Sequence, residues 1–318
     1  MADGTTDVAP DEIPQSFEFQ QAGAGLFHNF RVTETLRVIK SLLVMATTAP
    51  SLTSQVDPNF LISTMYPAAN SAYLIMSVPN PSLPPGYQLV GPLLANVQDA
   101  ARAMAQSQAS EQRAVNMMLA ESNIFGLVAY NAADSTAIVA FRGTQTIWEW
   151  IEDLCALTFP YLPDPNAGDV HMGFQLVYEH IRKSTAELLA KCNGVKRIYV
   201  TGHSLGGAVA LLGAFDIAHN TMPGVPVEIY TFAGPRTGTG IFTDSINKLI
   251  PKCVRVVNHG DLVPEVPVPP IYSHAGQALG VVGGFKLLDV TYGHHLTTYL
   301  TGLQKLPGAG PGAGSTPQ

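Results

Sequence analysis

The chain is poor in charge. Charged side chains make up 13% of its 318 residues, about half the share that is usual in a soluble domain. Lys and Arg number 17 against 24 Asp and Glu, which gives a net charge of −7, and the basic residues form no cluster. Because nucleic acid binding depends on a basic surface, the composition gives that function no electrostatic support. A sparsely charged chain suits apolar partners better than polyanions.

Cysteine is scarce, and so are long apolar runs. The three cysteines, Cys155, Cys192 and Cys253, are odd in number and lie far apart. Such a distribution favours free thiols over a disulfide framework. The apolar stretch at residues 36–46 contains two basic residues and is shorter than the roughly 20 residues that cross a bilayer. The sequence therefore predicts no transmembrane segment.

The two ends of the chain are polar or of low complexity. Residues 1–7 are acidic and polar, unlike a signal peptide. This start favours a cytoplasmic location. Export by a leaderless route, or a leader removed earlier, stays open as an alternative. We predict a disordered tail at 1–20, a single domain at 21–306 and a Gly/Pro-rich tail at 307–318. One or two helices are expected at 25–70, without a functional interpretation.

The most informative segment is residues 201–207, which read TGHSLGG and follow the apolar run RIYV at 197–200. A buried strand is predicted to turn sharply into a helix, with Ser204 at the apex. Gly202 and Gly206 flank the serine with the G-x-S-x-G spacing of a nucleophile elbow. Glycine is needed on both sides because the chain approaches itself closely there. The alternative is an ordinary strand–turn–helix in which Ser204 only caps the helix.

Strands and helices alternate along the rest of the chain. Apolar residues recur with helical period between 174 and 189. This alternation is typical of a mainly parallel sheet that is covered by helices on both faces. The predicted strands are 124–130, 136–141, the run before Ser204, 228–232 and 254–257.

A serine nucleophile needs a base and a third group that orients the base. In α/β-hydrolases an acid and then a histidine follow the serine along the chain. Asp261 comes just past the carboxyl end of an apolar strand, the edge where open α/β sheets place their chemistry. Its alternative role is that of a turn residue beside Gly260. Asp216, on the helix after Ser204, is expected to face solvent.

Two adjacent histidines, His294 and His295, are candidates for the base. On the residues alone, either could accept the proton of Ser204. His203 is expected to pack beneath the turn, because the turn directs its ring away from the serine side chain. No grouping of His, Cys and acidic residues has the spacing of metal ligands, so neither a metal nor another cofactor is predicted.

Besides the serine segment, four further motifs occur: FRGT at 141–144, VHMGF at 170–174, TFAGPR at 231–236 and VNHGDLVP at 257–264. These five motifs, in this order, resemble the class 3 lipases, a fungal-lipase-like branch of the α/β-hydrolases. The resemblance covers about residues 70–304. It implies an α/β-hydrolase fold with a mainly parallel central sheet, helices on both faces and a short helical lid.

The resemblance also implies roles for individual residues. Ser204 matches the nucleophile and Asp261 matches the acid of the triad. The backbone amides of Thr144 and Leu205 match the oxyanion donors.

The resemblance narrows the choice of histidine without closing it. In many relatives the base precedes a tyrosine by five positions, which selects His294 before Tyr299. In fungal members a His-Leu pair lies nearer the tyrosine, which favours His295. We predict His294, because the first spacing matches the end of this chain better.

Residues 147–154, which read IWEWIEDL, contain both tryptophans of the chain. Four apolar side chains fall at i, i+3, i+4 and i+7 of a helix, with the acidic ones mostly opposite. The resemblance implies a lid that covers the site and opens at a lipid interface. The alternative is an immobile amphipathic helix packed on the core. The predicted lid residues are Ile147, Trp148, Trp150, Ile151 and Leu154.

Together these features predict a serine hydrolase that cleaves carboxylic esters of acyl lipids through a Ser-His-Asp triad and an acyl-enzyme, as a triacylglycerol lipase or esterase does. The expected partners are an acyl ester or lipid substrate and a lipid–water interface, and no nucleic acid. A phospholipase or a short-chain esterase is an alternative. A non-catalytic binding scaffold with the same fold is another.

Overall fold

The computed structural model describes residues 56–107, 109–144, 158–284, 286 and 291–310. The predicted N-terminal tail, the predicted lid at 147–154 and Cys155 lie outside these residues. Cys192 and Cys253 are buried free thiols, as predicted.

Nine strands are described. They are β1 (Gln88–Leu94), β2 (Ile124–Asn131), β3 (Thr136–Phe141), β4 (Thr158–Pro160), β5 (Asp169–His171), β6 (Arg197–His203), β7 (Val227–Phe232), β8 (Cys253–Asn258) and β9 (Gln277–Val281). β4 and β5 form a separate antiparallel pair, and the other seven form one sheet in the order β1-β2-β3-β6-β7-β8-β9. The pairs β1–β2 and β2–β3 are antiparallel, whereas every pair from β3 to β9 is parallel. The prediction of a mainly parallel sheet is confirmed.

Seven α-helices of six or more residues accompany the strands in the described part of the chain. They are α1 (Tyr66–Leu74), α2 (Ala101–Gln106), α3 (Ala109–Glu121), α4 (Met172–Leu189), α5 (Leu205–Asp216), α6 (Gly240–Leu249) and α7 (Leu296–Leu303). A short helix at Pro58–Phe60 and a π-helical turn at Leu61–Met65 lead into α1. None of the described helices combines the length and the apolar character that crossing a bilayer requires.

Side chains of the sheet alternate between two apolar cores, because successive residues of a strand point to opposite faces. In β3, Val139 and Phe141 pack in a core with residues of α4 and α5. Ile138 and Ala140 pack in a second core with residues of α1 and α7. Helices therefore cover both faces of the sheet, as predicted.

The two edge strands, β1 and β9, are additional to the predicted set. β1 contains Gly91 and Pro92, and its pairing with β2 is irregular on either side of them. Proline and glycine weaken a strand pattern in the sequence, but an edge strand tolerates both because one of its sides is unpaired.

Asp216, the last residue of α5, is buried, so the expectation that it faces solvent is wrong. Its carboxylate accepts hydrogen bonds from the Tyr178 hydroxyl at 2.7 Å and the Asn220 amide at 2.7 Å. The Arg182 guanidinium donates to both carboxylate oxygens, at 2.9 and 3.0 Å. These charge-assisted bonds offset the cost of burying the carboxylate. They also link α4 to α5, the helix that begins next to Ser204.

We predict that Asp216→Ala lowers the free energy of unfolding by about 2–3 kcal/mol. The change leaves the Tyr178 hydroxyl and the Arg182 guanidinium without their acceptor, but water screens Arg182, whose side chain is 36% exposed. Urea unfolding measures the effect. Asp244→Ala, on the exposed face of α6, is the matched control and is expected to cost less than about 0.5 kcal/mol. Equal losses of unfolding free energy in the two variants would show that the buried network does not stabilise the fold.

Candidate active site

Ser204 lies in the turn between β6 and α5, in a backbone conformation that residues other than glycine rarely adopt. Its φ is 62° and its ψ is −133°, a strained combination. A Cβ atom at Gly202 would collide with the carbonyl of Gly206, and one at Gly206 would collide with the carbonyl of Phe141. Only glycine at these two positions lets the helix start so close to the strands that Ser204 is held in this conformation.

Ser204, His294 and Asp261 form a continuous chain of hydrogen bonds. The Oγ atom of Ser204 lies 2.9 Å from Nε2 of His294. The Nδ1 atom of His294 lies 2.9 and 3.1 Å from the two carboxylate oxygens of Asp261. Because a carboxylate only accepts, Nδ1 carries the proton and Nε2 accepts the hydrogen bond of Ser204. All three side chains are buried, and the structure brings together the three residues predicted for the triad.

His295 is placed differently from its neighbour. His294 ends the 3₁₀ turn Tyr292–His294, and His295 occupies the N-cap position of α7 without a capping hydrogen bond from its side chain. The His295 ring is exposed and lies against Tyr292. The histidine in contact with Ser204 is therefore the one that precedes Tyr299 by five positions.

Two groups orient the carboxylate of Asp261. The Tyr299 hydroxyl donates to Oδ2 at 2.6 Å, and the Val263 amide donates to Oδ1 at 3.0 Å. Burial, and then the negative charge of Asp261, raises the pKa of the Tyr299 hydroxyl, which stays a donor. In the sequence, Tyr299 only helps to distinguish the two histidines, and its contact with Asp261 is seen only in the structure.

Asn258, the last residue of β8, joins the segment of the acid to the segment of the base. Its amide donates to the carbonyls of Gly293 at 2.9 Å and Gly284 at 3.1 Å. Its Oδ1 accepts from the Gly283 amide at 2.8 Å. Asn258 lies within the VNHGDLVP motif, but the motif alone predicts no role for it.

The predicted oxyanion donors follow the ends of two neighbouring strands. Thr144 is buried and comes three residues after β3. Leu205 is the first residue of α5, where a backbone amide has no acceptor within the helix and the helix dipole is positive. Both amides therefore come from positions that suit stabilisation of a negatively charged oxygen.

Buried Arg142 anchors the loop that carries Thr144. Its guanidinium donates to the carbonyls of Gly143 at 3.0 Å and Ile124 at 2.6 Å, and it forms an ion pair with Glu121 at 3.3 Å. The arginine of the FRGT motif therefore holds the loop before Thr144 in position.

The predicted lid residues Ile147, Trp148, Trp150, Ile151 and Leu154 lie outside the described residues, so the lid stays a prediction. Among the residues that the structure does describe, no group of three His, Cys, Asp or Glu side chains is arranged to hold a metal ion.

Two histidines of the motifs are buried and neutral. Burial lowers the pKa of His171 to about 3. Burial, and then the nearby His294, lowers the pKa of His203 to about 3. His171 also caps α4, since its Nδ1 accepts a hydrogen bond from the Gly173 amide at 3.1 Å. Because a cap of this kind needs an acceptor, the neutral ring suits the position.

The family profile of the class 3 lipases matches residues 138–270, which include Ser204 and Asp261. Over this stretch the chain is similar to the class 3 lipases. A chloroplastic phospholipase A(1) of Arabidopsis thaliana is 34% identical over 149 residues, which cover 41% of this chain and 33% of the relative. A lipase of Rhizomucor miehei is 31% identical over 157 residues, which cover 48% of this chain and 43% of the relative. The chain thus spans between about a third and a half of the length of the curated relatives that it matches.

A solved structure supports the fold. The crystal structure of a mutant of the Penicillium cyclopium protein MDLA is 20% identical, covers 74% of this chain and 82% of its own, and has a TM-score of 0.51. At this identity the likeness concerns the fold alone. With the mainly parallel sheet and its helices on both faces, it confirms the predicted α/β-hydrolase fold.

We predict that acidification destabilises the protein between pH 6.5 and pH 3, because an unfolded histidine binds a proton that buried His171 cannot bind. His171 stays neutral in the folded state until the pH approaches its pKa of about 3, so its contribution is complete above pH 6.5 and is lost as the pH falls. Between pH 7.5 and 5.5 this one residue costs about 1.4 kcal/mol.

His171→Asn keeps an acceptor for the helix cap but does not titrate. We expect it to reduce the difference in unfolding free energy between pH 7.5 and 5.5 by about 1.4 kcal/mol, as measured by urea titration. His259→Asn, which makes the same substitution at an exposed histidine, is the matched control. An unaltered difference in His171→Asn would disprove the linkage.

Proposed function

We propose that this protein hydrolyses carboxylic esters of acyl lipids through an acyl-enzyme formed on Ser204. The observation that carries the proposal is the contact between Ser204 Oγ and His294 Nε2, at 2.9 Å, with His294 oriented by Asp261. The match of residues 138–270 to the class 3 lipase profile supports the reaction class. A scaffold that only binds would not need this arrangement of three buried polar side chains.

The geometry supports a two-step reaction. In the first step Ser204 attacks the ester carbonyl while His294 takes its proton, and Asp261 holds the imidazole and its positive charge. The backbone amides of Thr144 and Leu205 stabilise the oxyanion. The protonated His294 then gives its proton to the leaving alcohol. In the second step His294 activates a water molecule, which releases the acid and restores Ser204.

The substrate class rests on the relatives. They include lipases of Rhizomucor miehei and Malassezia globosa and several plant proteins named phospholipase A(1). We propose acylglycerols as the principal substrates, and phospholipids as the second candidate because of the plant relatives. Acid release from a triacylglycerol emulsion, compared with release from phosphatidylcholine vesicles at equal acyl concentration, distinguishes the two.

We predict that Ser204→Ala lowers ester turnover by about 10⁴-fold or more, because the variant has no nucleophile. His294→Ala should have a comparable effect, since it removes the base. His295→Ala is the matched control, because its exposed ring touches neither Ser204 nor Asp261 in this arrangement, and it should keep most of the activity. Turnover of p-nitrophenyl esters measures all three variants, and circular dichroism shows whether each is folded.

Two outcomes would contradict these assignments. A folded Ser204→Ala variant that keeps a tenth of the activity would exclude this serine as the nucleophile. A loss in His295→Ala together with activity in His294→Ala would transfer the base to His295.

The predicted lid offers a test at the lipid surface. Because both tryptophans lie at residues 147–154, tryptophan fluorescence reports on this segment alone. We propose that the segment covers the site in water, since exposing its apolar stripe costs about 25 cal/mol per Å². We predict that micelles change the emission and that emulsified ester is hydrolysed faster than dissolved ester, because the interface favours the open state.

Trp150→Ala should weaken both effects while sparing small soluble esters. Trp148→Ala, which removes the tryptophan outside the i, i+3, i+4, i+7 stripe, is the matched control and should keep the interfacial gain. Emission that is indifferent to micelles, without an interfacial gain, would mean that the segment is a fixed helix.

A further inference from the structure

Tyr73 and His203 lie beside the triad, and the reaction described above uses neither. Tyr73 is near the end of α1, and His203 is the buried last residue of β6, next to Ser204. The Tyr73 side chain is partly exposed, but its hydroxyl lies 2.9 Å from Nδ1 of His203. On the other side of the ring, Nε2 of His203 lies 2.8 Å from the carbonyl oxygen of His294.

The direction of these hydrogen bonds follows from their chemistry. A carbonyl oxygen only accepts, so Nε2 of His203 carries the proton and donates to His294. The neutral ring then has an acceptor at Nδ1, and the Tyr73 hydroxyl donates to it. Burial, and then the neighbouring His294, lowers the pKa of His203 to about 3. The ring therefore keeps one donor and one acceptor while His294 gains and loses its proton.

The Tyr73 hydroxyl also meets the oxyanion loop. A Cβ atom at Gly143 would collide with it and would come within 2.8 Å of the His203 carbonyl oxygen and 3.1 Å of Ser204 Cβ. A backbone hydrogen bond from Gly143 opposes the rise in the pKa of Tyr73 that burial causes. One hydroxyl thus contacts the loop before Thr144 and the residue before Ser204.

We propose that Tyr73 and His203 form a positioning pair that holds the oxyanion loop and the backbone of His294 in place around Ser204. The inference rests on the proposed ester hydrolysis and extends it to residues that do not touch the reacting atoms. The oxyanion loop, the serine turn and the base follow β3, β6 and β9 and so belong to separate segments. The pair contacts all three segments. Tyr73 and His203 are 130 positions apart in the sequence, and His203 and His294 are 91 positions apart.

The first test compares two variants that each remove one hydroxyl from a tyrosine. Tyr73→Phe should lower kcat for a soluble p-nitrophenyl ester by about 10- to 100-fold, because a small displacement of the oxyanion donors or the base slows the chemical step. KM should change by less than about threefold. Tyr161→Phe is the matched control, since the Tyr161 hydroxyl is buried and donates to the Leu212 carbonyl at 2.7 Å. Its kcat should stay within about twofold of the parent.

The second test asks whether Tyr73 acts through His203. His203→Gln keeps an amide donor for the His294 carbonyl but changes the partner of the Tyr73 hydroxyl. If the pair acts as a unit, the loss of kcat in the double variant is smaller than the product of the two single losses. Multiplicative losses would overturn the coupling. His203→Gln also tests the proposal alone if Tyr73→Phe does not fold, since it should then lower kcat with KM nearly unchanged.

The outcomes separate this inference from the proposed function. Absence of Ser204-dependent ester hydrolysis in the parent protein refutes the proposed function. Hydrolysis in the parent with an unchanged kcat in Tyr73→Phe refutes only the positioning pair. An equal loss of kcat in Tyr161→Phe would also refute it, because any buried tyrosine hydroxyl would then serve as well.

Discussion

The site depends on the strained backbone at Ser204. The positive φ of this residue is maintained because strand β6 and helix α5 approach each other at Gly202 and Gly206, where a side chain of any size would collide with backbone carbonyls. β6 lies in the middle of the sheet, between β3 and β7, so both sides of the strand are paired up to the turn. A rigid scaffold of this kind can hold a conformation that an isolated segment would not adopt.

The parallel sheet explains why the other groups meet Ser204. The carboxyl ends of β3, β6 and β8 lie at one edge, and each is followed by a loop that carries part of the site. The base, His294, comes from a segment further along the chain. Asn258 and His203 hold this segment by hydrogen bonds to its backbone carbonyls. Side-chain to backbone contacts fix the loops, so the alignment of the triad depends on residues that take no part in the reaction.

Features with a local sequence pattern could be predicted, and features that depend on distant contacts could not. Ser204 follows from the spacing of two glycines, and the central strands follow from their apolar runs. His294 could not be separated from His295 on the residues alone, because only the turn before α7 decides which ring faces Ser204. The resemblance to class 3 lipases favoured His294 through its spacing from Tyr299, and the structure places the His294 ring against Ser204.

The burial of Asp216 is the clearest example of a feature that could not be predicted from the sequence. Its position at the end of α5 suggests an exposed carboxylate, and its burial depends on Tyr178 and Arg182, which come from α4 more than 30 residues earlier. Tyr73 is similar, since it contacts His203 across 130 residues. Neither contact produces a periodic pattern in the sequence. The first depends on how two helices pack, and the second on how a helix packs against a strand.

The most direct test of the triad is to locate the residue that reacts with a fluorophosphonate, which phosphonylates an activated serine. We expect one adduct for each protein molecule, on the peptide that contains Ser204, and slower labelling when an acyl ester competes. The folded His294→Ala variant should form no adduct on the same timescale. Labelling at another residue, or equal labelling without His294, would contradict a Ser204–His294–Asp261 triad.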